Sequence, residues 1–200
     1  MKQSLFTMEH ARQLTADTYE LVLSGDTSAI TAPGQFVNIQ LPGKFLRRPI
    51  SICNWTKDAL LLLVRVVGEG THDLVRCVPG TELDVLSGLG NGFDLAKGGT
   101  HPILLGGGIG IAPLYGLAQR MLEAGIAPTV GLGFRSGGDA FYLEEFGKLG
   151  CRLMVATEDG SLGTKGFVTD LVRHVPECGY AFVCGPTPML KAVHGLPQLT

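Results

Sequence analysis

Ile103-Leu104-Leu105-Gly106-Gly107-Gly108-Ile109-Gly110-Ile111-Ala112-Pro113 is the stretch that decides the fold. An apolar run ends abruptly on glycines, and a proline opens the next segment. That is the pattern of a buried strand, a tight turn and a helix, because proline is preset for a first helical turn and glycine allows backbone to come close to a neighbour. The spacing departs from G-x-G-x-x-G, since Pro113 stands where the third glycine would be. Gly107, Gly108, Ile109 and Gly110 are the candidate cradle for a dinucleotide's phosphates. The plainer alternative is a strand-to-helix turn that holds no ligand.

Downstream the same grammar repeats. Apolar runs over 128–134, 151–157 and 180–183 read as strands, and segments 113–124, 142–149 and 168–174 read as helices. Strands alternating with helices imply a parallel sheet with ligands at the carboxyl ends of its strands. Two clusters fall at such ends. Glu158 and Asp159 read either as turn formers or as acceptors for ribose hydroxyls. Cys184-Gly185-Pro186-Thr187-Pro188-Met189 closes the last strand, and Cys184 reads either as a small buried apolar residue or as a thiol beside a ligand. Arg135 is the one cation directly after the 128–134 strand, which favours a dinucleotide without a 2'-phosphate.

Upstream, over 4–86, short apolar runs are separated by Gly, Pro, Asp and Asn, the rhythm of a small antiparallel barrel. Phe36, Asn38 and Gln40 alternate with Val37, Ile39 and Leu41, giving one buried face and one open face. Arg47-Arg48-Pro49-Ile50-Ser51 comes next. It reads as a surface charge pair before an edge strand, or as a guanidinium (Arg48) for a pyrophosphate with a hydroxyl (Ser51) for a flavin ring nitrogen. Arg65 interrupts an apolar strand, and with Thr71 it is consistent with a second strand on the same phosphate groove. The glycine-dense 88–99 segment marks a junction, dividing a barrel domain (1–97) from an α/β nucleotide-binding domain (98–200). The expected class is therefore β plus α/β.

Composition narrows the function classes. The chain has 200 residues, 45% of them hydrophobic and 17% charged, with a formal net charge of -2. That balance suits a small-molecule role and gives no footprint for nucleic acid. The longest uncharged stretch, 102–119, carries too many glycines and prolines for a membrane span, and the N-terminus lacks a secretory signal's apolar core. The cytoplasm is the expected compartment. Five scattered cysteines, without a C-x-x-C pair, suit free thiols. No metal-ligand spacing is found among the histidines.

Taken together, Arg47 to Ser51, Gly106 to Leu114, Gly133-Phe134-Arg135, Ala156 to Gly160, Gly163 to Asp170 and Cys184 to Leu190 resemble the electron-transfer subunits of the class 1B dihydroorotate dehydrogenases, a branch of the ferredoxin reductase superfamily. The resemblance spans nearly the whole chain. It implies FAD on the barrel, with contacts at Arg48, Pro49, Ile50, Ser51, Leu63, Val64, Arg65, Gly70 and Thr71. It implies NAD(H) in the second domain, with the glycine turn, Glu158, Asp159, Cys184, Gly185, Pro186 and Met189 as contacts. Ser51 and Cys184 are the expected catalytic neighbours of a hydride passing between nicotinamide and flavin. The implied partner is an FMN-containing dihydroorotate dehydrogenase catalytic subunit, in a heterotetramer serving pyrimidine biosynthesis. The family continues into a cysteine-rich tail holding a [2Fe-2S] cluster, whereas this sequence has no cysteine after Cys184, so a shortened chain is expected. Two other functions remain open from the residues: an NADH-dependent flavin reductase or diaphorase subunit of another redox complex, and a flavin-binding assembly module without turnover.

Overall fold

The computed structural model describes residues 1–175 and 179–199. Cys178, one of the scattered thiols, lies outside the described residues. The chain forms two compact units, Met1–Phe93 and Asp94–Thr200.

The first unit is a closed barrel. Its strands are β1 (Lys2–Gln13), β2 (Thr18–Gly25), β3 (Phe36–Gln40), β4 (Arg48–Trp55), β5 (Ala59–Arg65) and β6 (Glu82–Leu89), arranged β1-β2-β5-β4-β3-β6. Closure leaves no unpaired sheet edge. Alternation sets the interior: Val37 and Ile39 of β3, Ile50 and Ile52 of β4, and Leu60, Leu62 and Val64 of β5 share one buried core. Each fully buried side chain of this size contributes about 1.5–3 kcal/mol. The β4–β5 ladder slips between Ile52 and Asn54, a bulge that lets the consecutive residues Ile52 and Cys53 both be buried.

A short helix, α1 (Glu69–Val75), interrupts the run of strands and sends Leu74 and Val75 into the barrel core. Gly70 and Thr71 therefore stand on a helix that the sequence pattern does not announce. The reason is tertiary. Two glycines at 68 and 70 weaken the local helical signal, and burial of Leu74 and Val75 overrides it.

The second unit carries a five-stranded parallel sheet in the order β10-β9-β8-β7-β11. The strands are β7 (Pro102–Gly107), β8 (Thr129–Phe134), β9 (Arg152–Thr157), β10 (Thr164–Lys165) and β11 (Tyr180–Cys184). Helices α2 (Ala112–Glu123), α3 (Leu143–Leu149), α4 (Val168–Val172) and α5 (Thr187–His194) connect or succeed them. Val168, Leu171 and Val172 of α4 and Val193 of α5 pack with Ile103 and Leu105 of β7. Tyr115 of α2 meets Tyr142 and Phe146 edge-on at ring-centroid distances of 5.1 and 5.3 Å, which fastens α2 to α3. The sequence pattern announces neither β10 nor α5. A two-residue strand has no periodicity to read, and Pro186 and Pro188 obscure the start of α5 even though proline is tolerated in a first helical turn.

Among the described residues, no helix is long and apolar enough to cross a membrane.

Candidate functional site

In the barrel, two adjacent arginines have different lives. Arg47 is consumed by the fold: its guanidinium donates to the Asn38 and Asp84 carbonyls at 3.3 and 3.0 Å and to Asp84 Oδ2 at 2.8 Å. That pairing holds the Asp84 carboxyl below its ordinary range. Arg48 makes no ion pair among the described residues. Its guanidinium donates to the Leu46 carbonyl at 2.6 Å and lies across Gly70, where a Cβ would stand 1.8 Å from Nε. Only glycine permits that approach. The structure thus brings Arg48 and Gly70, 22 positions apart in sequence, together and leaves the guanidinium without a carboxylate partner among the described residues.

Neighbouring groups fix this arrangement. Thr71 Oγ1 accepts from the Val67 and Gly68 amides at 2.9 and 3.3 Å and donates to the Gly68 carbonyl, which shapes the start of α1. Lys44 Nζ reaches Glu69 Oε2 at 3.0 Å and Asp73 Oδ2 at 3.1 Å, tying the segment before β4 to the helix. Lys44 is no candidate in the sequence, because its carboxylate partners lie on α1 and no local pattern announces them.

Strand alternation sorts the remaining barrel candidates. Pro49 and Ser51 are exposed, whereas Ile50 and Val64 point into the core and can offer a ligand only backbone. Leu63 is buried outside that core cluster. Arg65 Nε is paired with Asp17 Oδ2 at 2.7 Å, so the charge that interrupts β5 is balanced within the barrel.

In the sheet unit, the chain leaves β7 for β8 and β9 on one side, while β11 lies on its other side. Such a reversal opens a crevice at the carboxyl ends of the two strands. Gly107 and Gly108 stand at one wall and Cys184, Gly185 and Pro186 at the other, in the register Cys184 to Gly106. The glycines have separate reasons. A Cβ at Gly110 would meet the Cys184 carbonyl oxygen at 2.4 Å, and one at Gly107 or Gly185 would meet Met189 Sδ at 2.5 Å. At those positions the space a side chain would need is filled by the protein itself, so packing alone accounts for the glycines. Gly108 differs: its φ is +53° and its missing side chain faces open space. The turn, 108–111, is a 3₁₀ turn that runs directly into α2, carrying Ile109 and Gly110 with it, and Pro113 sits in the first turn of that helix.

Burial raises the Cys184 thiol above its ordinary value. It therefore stays protonated at neutral pH and is a wall of the crevice, with no nucleophile's character. Asp159 accepts from the Ser161 amide and hydroxyl at 3.0 and 2.7 Å, and the Ser161 hydroxyl bond leads the causes that keep its carboxyl below the usual range. Asp159 thus braces its own turn. Glu158 is exposed, and its carboxylate makes no hydrogen bond among the described residues.

Among the described residues there is no group of three or more His, Cys, Asp or Glu that could hold a metal.

Comparison with known proteins places the chain. Residues 104–195 match the oxidoreductase NAD-binding domain. The dihydroorotate dehydrogenase B (NAD(+)) electron transfer subunit of Shouchella clausii is 43% identical over 201 residues, covering 96% of this chain and 77% of that protein. The chain belongs to this family of electron transfer subunits. The family's subunit from a Geobacillus species is 42% identical over 202 residues, covering 96% of this chain and 78% of that protein. Among solved structures, an NADH-dependent reduced ferredoxin-NADP oxidoreductase, described for flavin-based electron bifurcation, superposes with a TM-score of 0.86 at 29% identity over 98% of this chain and 74% of its own. That likeness, with the closed barrel and the parallel sheet, bears out the fold class expected from the sequence.

Proposed function

We propose that this chain moves electrons between NADH and a dihydroorotate dehydrogenase catalytic subunit, with FAD held by the barrel and the dinucleotide by the sheet unit. The observation that carries this reading is the Arg48 guanidinium, free of carboxylates and laid over Gly70. A planar cation kept unpaired beside exposed Pro49 and Ser51 suits a pyrophosphate and the ring attached to it. Family membership supplies the identity of the reaction.

When bound, FAD supplies a two-electron acceptor for the hydride of NADH and a donor for the return direction to NAD+. The chain's own groups bind and orient. Arg48 grips phosphate oxygens, Gly70 and Thr71 keep the guanidinium's place, and Leu63, Arg65 and the backbone of Ile50 and Val64 line the remaining groove. Ser51 offers a hydroxyl to a ring nitrogen. In the crevice, Gly108 and Ile109 give the pyrophosphate access to backbone, with Gly107, Gly110, Gly185, Pro186 and Met189 holding that turn in shape. Glu158 accepts from ribose hydroxyls, while Asp159 shapes the turn that carries it. Cys184 stays a neutral thiol beside the nicotinamide. Proximity and orientation account for the rate, and no side chain needs to form a covalent bond.

The partner in this reading is an FMN-containing catalytic subunit, joined in a cytoplasmic heterotetramer. The test is NADH oxidation by the purified complex with orotate as acceptor. Reduction of orotate to dihydroorotate at the expense of NADH supports the reading. NADH oxidation that never reaches orotate, with the partner present and folded, contradicts it and leaves a diaphorase subunit of another complex.

A further inference from the structure

The segment that delivers Arg48 to the barrel, 41–47, is tied to helix α1 by one side chain. Residues 41–44 form a turn closed by the Lys44 amide on the Leu41 carbonyl at 3.2 Å, and Gly43 supplies the φ of +72° at its third position. The Gln40 side-chain amide donates to the carbonyls of Leu41 and Lys44, so the backbone that carries Lys44 is fixed from β3. From there Lys44 Nζ reaches Glu69 Oε2 at 3.0 Å and Asp73 Oδ2 at 3.1 Å. Residues four apart share one helix face, which is why a single ammonium can hold both carboxylates. The Lys44 side chain is only 25% exposed, its stem covered while its head is paired. The two resting contacts of Arg48 lie on the two pieces that Lys44 joins. Its Nη1 donates to the Leu46 carbonyl on the 41–47 segment, and its Nε lies against Gly70, which follows Glu69 in α1. Lys44, Leu46, Arg48 and Gly70 thus close one ring through Glu69 and Asp73.

We infer that Lys44 is a positioning residue for the phosphate grip: by holding α1 to the 41–47 segment it keeps Gly70 against Arg48 and fixes the guanidinium where a pyrophosphate can meet it. The inference rests on the reading that Arg48 takes the pyrophosphate of FAD. Lys44 does not serve that phosphate itself, since its ammonium already faces two carboxylates. A guanidinium gives phosphate two parallel hydrogen bonds only in one orientation, so freedom of the Arg48 side chain costs affinity. Helix α1 has little stiffness of its own at this end, because it starts from Gly68 and carries Gly70 in its first turn. Thr71 shapes that start from within, and Lys44 ties it from outside. Ion pairs to carboxylates as exposed as these contribute little to folding, so the brace can be removed from a barrel that stays folded.

The test is a double-mutant cycle over the full chain, Lys44→Met, Arg48→Ala and the two combined, with the FAD dissociation constant of each apoprotein read by equilibrium titration and folding read by thermal midpoint. Lys44→Met is expected to weaken FAD binding roughly threefold to tenfold, and the combined variant to bind FAD no more weakly than Arg48→Ala alone. Lys44→Arg should retain most of the affinity. Removing the acceptors instead, with Glu69→Gln and Asp73→Asn together, should also weaken FAD binding. A simple effect of charge has the opposite sign there, because that variant loses two negative charges beside an anionic ligand. The acceptor variant also decides the matter if Lys44→Met does not fold. Unchanged or tighter FAD binding by the acceptor variant, or a Lys44→Met loss that persists in full beside Arg48→Ala, overturns the inference while the proposed function stands. If the unsubstituted chain takes up no FAD, both are overturned.

Discussion

Gly70 and Gly110 both stand where a Cβ would collide, yet against different neighbours: the Arg48 guanidinium at 1.8 Å in the barrel, the Cys184 carbonyl oxygen at 2.4 Å in the sheet. One glycine keeps a cation in place, and the other lets two backbone segments touch. In the barrel the close approach leaves a charge available to a ligand. In the sheet it is spent on the fold, and of the four glycines at 106, 107, 108 and 110 it is Gly108 that faces open space. Glycines that look alike in sequence therefore divide into one that seats the proposed phosphate-gripping side chain and one that shapes the scaffold.

The sharpest way to break this comparison is substitution at the two glycines. Gly110→Ala drives a methyl into rigid backbone and is expected to destabilise the sheet unit by about 1–3 kcal/mol, read as a lowered thermal midpoint. FAD retention by the barrel should survive it. Gly70→Ala meets a side chain that can swing away, so its expected signature is weaker FAD binding with a smaller loss of stability. If the two variants showed the same balance of stability and FAD loss, the division would be wrong.

The arginine pair offers the next test. Arg48→Ala is expected to weaken FAD binding roughly 10-fold or more, the worth of charge-assisted hydrogen bonds to phosphate, measured by equilibrium titration of the apoprotein. Arg47→Ala should instead lower barrel stability, since it removes the ion pair to Asp84 and leaves that carboxylate the Gln3 amide alone as a side-chain donor among the described residues. Cys184→Ala should leave FAD occupancy unchanged. The smallest effect is in acid. Arg47 holds the Asp84 carboxyl below its ordinary value, so this contribution to stability is complete above the ordinary carboxylate range and is lost as pH falls through the folded value. Asp84→Asn should flatten that part of the acid-unfolding profile.

Much of the architecture was legible in the chain. Alternation in 36–41 and apolar runs ending on Gly or Pro announced a barrel and a parallel sheet, since both periodicities are local. Helix α1 was not legible, because Gly68 and Gly70 argue against a helix that only the burial of Leu74 and Val75 supports. Partners that meet across the barrel were equally hidden. Arg48 could be singled out as a cation before a strand, but Gly70 beneath it, Asp17 against Arg65 and the Lys44 latch depend on closure of the sheet.

The central claim is most directly tested by adding NADH anaerobically to the FAD-loaded chain and monitoring the visible flavin band. The band should bleach stoichiometrically with NADH, and an Arg48→Ala chain prepared in parallel should hold little flavin to bleach. A folded chain that takes up no FAD, or a bound flavin whose band stays unchanged in excess NADH, would contradict the account.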